Sequence, residues 1–144
     1  MTDDKSFVDT NVLVYAHDRG AGRKHEIAKA LVENLWRQRK GVISIQVLQE
    51  FYVNVRRKAL NPVRPKEAKQ LLADYMSWEV VINDGESLLQ AVETETRYKI
   101  SFWDALIVQA ANAAGATVLY SEDLSHDQRY GATRVNNPFI KLGA

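Results

Sequence analysis

The sequence predicts an α/β fold, in which a mostly parallel β-sheet is covered by helices on both faces. Short apolar runs typical of buried strands alternate with longer segments whose apolar residues recur at helical spacing. Parallel strands need crossover connections of about a dozen residues or more, and the helical segments between the apolar runs are long enough to supply them. The 144 residues show no internal repeat, low-complexity tract or interdomain linker. At this length one domain can bury a proper core, so we expect residues 1–144 to form a single domain.

The first elements follow from short apolar stretches and one long amphipathic one. Residues 6–8 are an apolar run that predicts a buried strand, and residues 12–16 suit a helix directly after it. An apolar stripe at helical spacing predicts a helix over about 24–39. Gly41 is expected to end that helix, and residues 42–45 form a second short strand.

The middle of the chain contains two further helices and a strand. Apolar residues at helical spacing predict a helix over 46–58, and Asn61-Pro62 breaks the chain after it. Pro65 suits the first turn of the next helix, which reaches about Tyr75. Residues 79–82 are predicted to form the third strand.

The last part of the chain holds the most apolar helix. A helix over 87–98 begins after an Asp-Gly pair, and the apolar helix over 100–114 stops at Gly115. Residues 117–120 predict a buried strand, and 132–135 a final edge strand.

Composition narrows the class of protein. Hydrophobic residues make up 46% and charged residues 26%, which is typical of a globular domain. Because there is no cysteine, disulfides and thiolate metal sites are excluded. A chain without disulfides is compatible with the reducing cytoplasm. The acidic start does not resemble a secretory signal. The longest uncharged run, 105–121, is interrupted by polar residues and is not a membrane span, so we expect a cytoplasmic protein.

Four acids lie among apolar residues rather than on polar helix faces. Asp9 ends the first strand, Glu50 adjoins the apolar stripe of its helix, Asp104 lies in the first turn of the most apolar helix, and Asp123 follows a buried strand. Each has an ordinary explanation as well. Asp9 suits an N-cap, Ser101 and Asp104 resemble a capping box, Glu50 suits an ion pair, and Asp123 suits a turn.

A parallel sheet would bring these acids together. Asp9 and Asp123 would emerge at the same edge of the sheet. The helix of Asp104 can begin at that edge, and the side chain of Glu50 can reach over it. Several carboxylates in one pocket cannot all stay ionised without a cation. Ligation by oxygen alone suits Mg²⁺ or Mn²⁺, and a pair of such ions is the usual arrangement for displacement at phosphorus.

The segments around these acids resemble a known family. The sequence reads FVDTNVLVY around Asp9, QVLQEFY around Glu50, FWDALI around Asp104 and YSEDL around Asp123. Together, in this order and rough spacing, they resemble a PIN domain over essentially the whole chain. The length resembles in particular the VapC-type toxins of toxin–antitoxin pairs.

This resemblance implies a Mg²⁺- or Mn²⁺-dependent endoribonuclease that prefers single-stranded RNA. The implied metal-binding and catalytic acids are Asp9, Glu50, Asp104 and Asp123. Residues implied to support them by hydrogen bonds, or through water in the last case, are Thr10, Asn11, Ser121 and Asp127. Glu122 is expected to point away from the site. The resemblance also implies a homodimer and an antitoxin that blocks the acidic groove and supplies any DNA binding.

Other side chains have weaker assignments. The basic residues at the end of the Glu50 helix, Arg56, Arg57 and Lys58, are candidates for contacts to RNA phosphates, although basic helix ends are commonly just solvated. Three aromatic side chains are expected in the core or at a dimer interface rather than as platforms for base stacking: Tyr15, Tyr52 and Trp103. The three histidines show no ligand spacing and receive no catalytic role.

Two other classes of protein are open to test. A haloacid dehalogenase-type phosphatase also begins with a strand that ends in Asp, but its chemistry needs a second Asp two positions later, where this chain has Asn11. A PIN-like module that only binds partners is the other alternative. Metal titration would separate such a module from an active nuclease.

Overall fold

The computed structural model describes residues 4–143, so the first three positions and the last position of the predicted domain lie outside it. The strands are β1 (Lys5–Val8), β2 (Gly41–Ser44), β3 (Glu79–Val81), β4 (Ala116–Tyr120), β5 (Arg129–Tyr130) and β6 (Thr133–Asn136). The α-helices are α1 (Thr10–His17), α2 (Arg23–Gln38), α3 (Ile45–Arg57), α4 (Pro65–Tyr75), α5 (Gly85–Tyr98) and α6 (Phe102–Ala113). Short 3₁₀ turns cover Arg19–Ala21 and Ile140–Gly143.

The six strands form one sheet in the order β3-β2-β1-β4-β6-β5. All neighbouring strands are parallel except β5 and β6, which are antiparallel. Helices α1 to α4 contact one another in one layer, and α5 packs on α6 in the other. This confirms the predicted α/β class with a mostly parallel sheet between helices.

The core is apolar because the central strands are buried on both faces. Phe7 and Val8 of β1, Ile43 of β2 and Leu119 of β4 have no exposed surface. Central parallel strands read as continuous apolar runs for this reason. Within residues 4–143, no helix is both long enough and apolar enough to cross a membrane.

Three details differ from the sequence predictions. Gly41 does not end α2, because Arg39 takes the left-handed conformation there, with φ of 56°, and Gly41 is the first residue of β2. Ile45 begins α3 instead of ending β2, because the hydroxyl of Ser44 caps that helix. The strand predicted at 132–135 is not at the edge, since the two-residue β5 pairs outside it.

The topology places β1 and β4 side by side at the centre of the sheet. Their register pairs Val8 with Tyr120, so the two strands end at the same level. The backbone N–H of Asp9 donates to the carbonyl of Tyr120 at 2.9 Å. The residues that follow these strands therefore meet at one edge, where parallel sheets commonly bind ligands.

Candidate active site

Asp9 occupies the junction between β1 and α1. Its Oδ1 accepts a hydrogen bond from the backbone N–H of Thr10 at 2.7 Å, and its Oδ2 accepts one from the Ser121 hydroxyl at 2.8 Å. Only 5% of its surface is exposed. Asp9 is thus the N-cap of α1, as one interpretation of the sequence predicted, and the negative charges of Asp123 and Asp104 also act on its carboxyl group.

Ser121 connects the ends of β1 and β4. While its hydroxyl donates to Asp9, its Oγ accepts from the backbone N–H groups of Asp123 at 3.1 Å and Leu124 at 3.4 Å. The side chain is fully buried. The position of the loop that carries Asp123 is therefore tied to the position of Asp9 by hydrogen bonds to Ser121.

The two residues after Asp9 contact two other acids. The Thr10 hydroxyl donates to Glu50 Oε1 at 2.6 Å, and Asn11 Nδ2 donates to Asp123 Oδ2 at 2.9 Å. The first turn of α1 therefore orients carboxylates from α3 and from the loop after β4.

Asp104 enters the same space from α6. Its backbone N–H donates to the Ser101 hydroxyl at 3.1 Å, which caps the helix and fixes where its first turn begins. The predicted capping interaction is therefore present, and Asp104 also lines the same hollow as the other acids.

All four predicted acids line one hollow of about 190 Å³. Thr10 and Asn11 also line it, together with Gln46, Asn54 and Trp103, which received no role from the sequence. Gln46 lies one turn before Glu50 and donates to its Oε2 at 3.3 Å, so helical spacing in the sequence could have identified it. Trp103 is 64% exposed and is not a core residue, because it lies in the first turn of α6 beside the hollow.

The carboxyl groups affect one another's ionisation. Burial raises the pKa of Asp9 to about 7, with smaller contributions from the negative charges of Asp123 and Asp104, although the Ser121 and Thr10 hydrogen bonds oppose the shift. Burial also raises the pKa of Asp123, helped by the neighbouring charges of Asp104, Glu122 and Glu50. The hollow thus concentrates negative charge that a bound cation would offset.

The donor chemistry of the hollow fits a hard divalent cation. Its acids offer only oxygen ligands, and the buried Oε1 of Gln46 has no hydrogen-bond partner among the described residues. Within residues 4–143, no three His, Cys, Asp or Glu side chains are close enough to hold a metal ion as they stand. Side-chain rotation of Glu50, Asp104 and Asp123, none of which is fully buried, would be required for them to close on an ion.

Two other acids near the motif lie outside the hollow. Glu122 accepts hydrogen bonds from the Tyr15 hydroxyl at 2.5 Å and from Lys24 Nζ at 2.8 Å, so it points away as predicted. Asp127 is exposed and lies 3.5 Å from His126 Nε2. The structure does not bring Asp127 to the lining of the hollow.

The three basic residues after Glu50 have different surroundings. Arg56 donates to the Tyr52 hydroxyl at 3.0 Å and lies over that ring, whereas Arg57 is exposed. Lys58 lines a second hollow of about 300 Å³, which shares the side chains of Asn11 and Asn54 with the acidic one. Lys58 is therefore the best placed of the three for contact with a molecule that extends out of the acidic hollow.

The comparison with protein families agrees with this geometry. The sequence profile of the PIN domain family matches residues 6–131, which include all four acids. The chain belongs to the PIN domain family. A search of curated protein sequences finds no match to this PIN domain.

Solved structures share the fold of this PIN domain at low identity. A toxin–antitoxin complex from Klebsiella pneumoniae has a TM-score of 0.67 at 19% identity, over 93% of this chain and 98% of that chain. The Mycobacterium tuberculosis toxin VapC20, described as cleaving the sarcin-ricin loop, has a TM-score of 0.64 at 20% identity, over 90% and 99%. DNA-bound VapBC from Salmonella typhimurium has a TM-score of 0.64 at 16% identity, over 94% and 98%.

Proposed function

We propose that the protein is a metal-dependent endoribonuclease and the toxin of a toxin–antitoxin pair. The observation that carries this proposal is the meeting of Asp9, Glu50, Asp104 and Asp123 in one hollow at the carboxyl edge of the sheet. Membership of the PIN domain family supports nuclease activity. The similar fold of VapC toxins and their antitoxin complexes supports the toxin assignment.

The four acids would hold one or two Mg²⁺ or Mn²⁺ ions. When bound, such ions lower the pKa of an attacking water and stabilise the leaving oxygen of the phosphodiester. Thr10 and Asn11 orient Glu50 and Asp123 through their hydrogen bonds. Because the pKa of Asp9 is raised, metal binding near neutral pH would release a proton from this carboxyl group.

The polar residues around the acids supply contacts for RNA. Lys58 would bind a phosphate next to the one that is cleaved, from its position in the adjoining hollow. The exposed indole of Trp103 offers a surface on which a base can stack beside the acids. Arg56 and Arg57 would contribute more general attraction to the RNA backbone.

An antitoxin and a second copy of the chain are the proposed protein partners. The antitoxin would cover the acidic hollow, and DNA binding would belong to it. Exposed Leu88, Leu89 and Val92 on one face of α5 support a homodimer, because single large apolar patches on a surface commonly mark contacts. Sedimentation of the purified protein measures this association directly.

The nuclease proposal is tested with a mixed pool of single-stranded RNA and purified, antitoxin-free protein in Mg²⁺, Mn²⁺ or EDTA. We expect metal-dependent cleavage that Asp104→Asn reduces by more than about 100-fold, since even outer-shell partners of metal ligands are worth 10- to 100-fold. The change is nearly isosteric, so the fold should persist. Asp74→Asn, at an exposed position in α4, is the matched control and should cleave normally.

Two results would contradict the proposal. Unchanged cleavage by cleanly purified Asp104→Asn would exclude the four-acid site. A folded protein that binds Mg²⁺ or Mn²⁺ in calorimetry but cleaves no RNA in the pool would favour the PIN-like binding module instead.

A further inference from the structure

A second groove lies at the opposite edge of the sheet from the acids. It has a volume of about 540 Å³, and its wall includes Lys5, Gly41 and Glu79, the first residues of β1, β2 and β3. The acidic hollow follows the other ends of β1 and β4. Because strands rise by about 3.3 Å per residue, the four residues of β1 alone separate the two sites by roughly 13 Å. The groove is therefore distinct from the candidate active site.

Among the described residues, three cations of the groove have no acidic partner. Arg37, Arg39 and Lys40 line it, and none of them forms an ion pair within residues 4–143. Lys5 and Glu79, also in the wall, pair with each other at 2.8 Å. The helix dipole of α2 accounts for one cation in its last turn, Arg37. It does not account for Arg39 and Lys40, which lie beyond that turn.

Two indole rings lie among these cations. Trp36 is 36% exposed, and its ring packs edge-on against Trp78 with centroids 5.4 Å apart. Trp78 is 8% exposed, and its Nε1–H has no acceptor in the described part of the chain. Cationic grooves with accessible aromatic rings are the usual means of holding single-stranded nucleic acid.

Two backbone features shape the groove, at Gly41 and at Arg39. A Cβ atom on Gly41 would lie 2.3 Å from the nearest ring carbon of Trp78, so only glycine leaves room for this indole. Arg39 adopts a left-handed conformation, with φ of 56°, at a helix end where glycine is the favoured residue. Arg39 lines the groove from this position, and Lys99 ends α5 in the same left-handed conformation.

We propose that this cationic groove, formed by Trp36, Arg37, Arg39, Lys40 and Trp78, binds a single-stranded segment of RNA outside the segment held at the acids. The basic side chains contact phosphates, and Trp36 stacks on a base. The inference rests on the proposed function, because RNA is the proposed substrate. A ribonuclease with this second contact binds long RNA more tightly than short RNA.

The first experiment measures binding in EDTA, where metal-dependent cleavage is absent. The groove variant carries Arg37→Gln, Arg39→Gln and Lys40→Gln, and its ligand is a fluorescein-labelled RNA of about 12 nucleotides. From anisotropy we expect at least about tenfold weaker binding at moderate salt. The slope of log K against log[salt] should become less steep by about 2, since each phosphate contact to a single strand contributes about 0.7.

A control variant has the same change in charge at another exposed site. It carries Arg64→Gln, Lys66→Gln and Lys69→Gln at the start of α4. We expect its affinity and salt slope to stay close to those of the unchanged protein. Equal affinities of the groove and control variants would overturn the proposal.

Tryptophan fluorescence localises the binding. The chain has three tryptophans, so Trp103→Phe leaves only Trp36 and Trp78, both in the cationic groove. We expect RNA to quench this remaining fluorescence, and the groove substitutions to abolish the quenching. RNA binding without quenching would contradict the proposal. A poly-glutamate peptide serves as a polyanion without bases. If it quenches the fluorescence as much as RNA does and displaces the RNA, the result would also contradict the proposal, because no base stacking is then required.

Failure of this inference can be distinguished from failure of the nuclease proposal. If no RNA is cleaved but the groove substitutions weaken RNA binding, the groove proposal stands and the nuclease proposal fails. If RNA is cleaved and the groove substitutions leave KM for long RNA unchanged, the groove proposal fails. When both proposals hold, the groove substitutions raise KM for long RNA, leave kcat unchanged, and have no effect on RNA too short to reach the groove.

Discussion

The free energy of unfolding of the metal-free protein should fall as the pH rises towards 7, and Asp9→Asn should abolish this fall. The pKa of Asp9 is about 7 in the folded protein, against a usual value of 3.8, chiefly because of burial. Between these values the folded chain keeps a proton at Asp9 that the unfolded chain releases. The stability contributed by the protonated carboxyl group is therefore complete below pH 3.8 and is lost progressively up to pH 7.

The size of this loss follows from the pKa. One pKa unit corresponds to about 1.4 kcal/mol, so the two units between about pH 5 and pH 7 reduce the free energy of unfolding by about 3 kcal/mol. The amide side chain in Asp9→Asn would not titrate, so that variant would not show this loss. Asparagine can accept from the Thr10 N–H but leaves the Ser121 hydroxyl without its acceptor, which costs about 1 kcal/mol at every pH.

The assay is urea unfolding in EDTA at about pH 5 and about pH 8, with the free energy of unfolding obtained by linear extrapolation. Relative to the unchanged protein, Asp9→Asn should gain about 3 kcal/mol on going from the lower to the higher pH. Glu33→Gln, at an exposed acid of α2, should show the pH dependence of the unchanged protein. Mg²⁺ should flatten the pH dependence of the unchanged protein but not that of Asp9→Asn. Identical pH dependence of both proteins in EDTA would refute the argument.

Two further substitutions test packing and a second buried group. Gly41→Ala should lower the free energy of unfolding in the same urea titration by about 1–3 kcal/mol, because its Cβ would overlap the Trp78 ring. The control Gly85→Ala has open space around its Cβ and should be neutral or slightly stabilising. Burial lowers the pKa of His17 to about 4 from 6.5, so stability should be complete above pH 6.5 and fall by about 3 kcal/mol as the pH drops to 4. His17→Gln should not show this fall, and an equal fall in both proteins would assign it to other groups.

The sequence predicted most of the fold, because its signals are local. The helix at Pro65–Tyr75 has the predicted limits, since Pro65 suits a first turn and apolar spacing marks the rest. The strand at β2 was found because all of its residues are buried, whereas the two-residue β5 carries no such signal and was not predicted. What could not be predicted depends on contacts between distant residues. Gly41 is needed in a strand because Trp78 packs against it, and no local pattern indicates that.

The same distinction applies to the candidate site. Asp9 and Asp123 could be expected at one sheet edge because both follow buried strands of a parallel sheet. The exposure of Trp103 could not be predicted, because the apolar residues around it indicate a buried helix and only the fold shows that its first turn borders the hollow. Asp127 follows the motif in sequence, yet it is exposed and does not line the hollow.

The hydrogen bond between Asp9 and Ser121 has a consequence for protein synthesis. The two residues are 112 positions apart, and β4 fills the place beside β1 at the centre of the sheet. At 5–20 residues per second, a ribosome needs roughly 6–22 s to proceed from one to the other. Throughout that interval the nascent chain has Asp9 but neither its hydroxyl donor nor Asp123. The carboxylate arrangement therefore forms only near the end of translation, and chains that terminate early cannot assemble it.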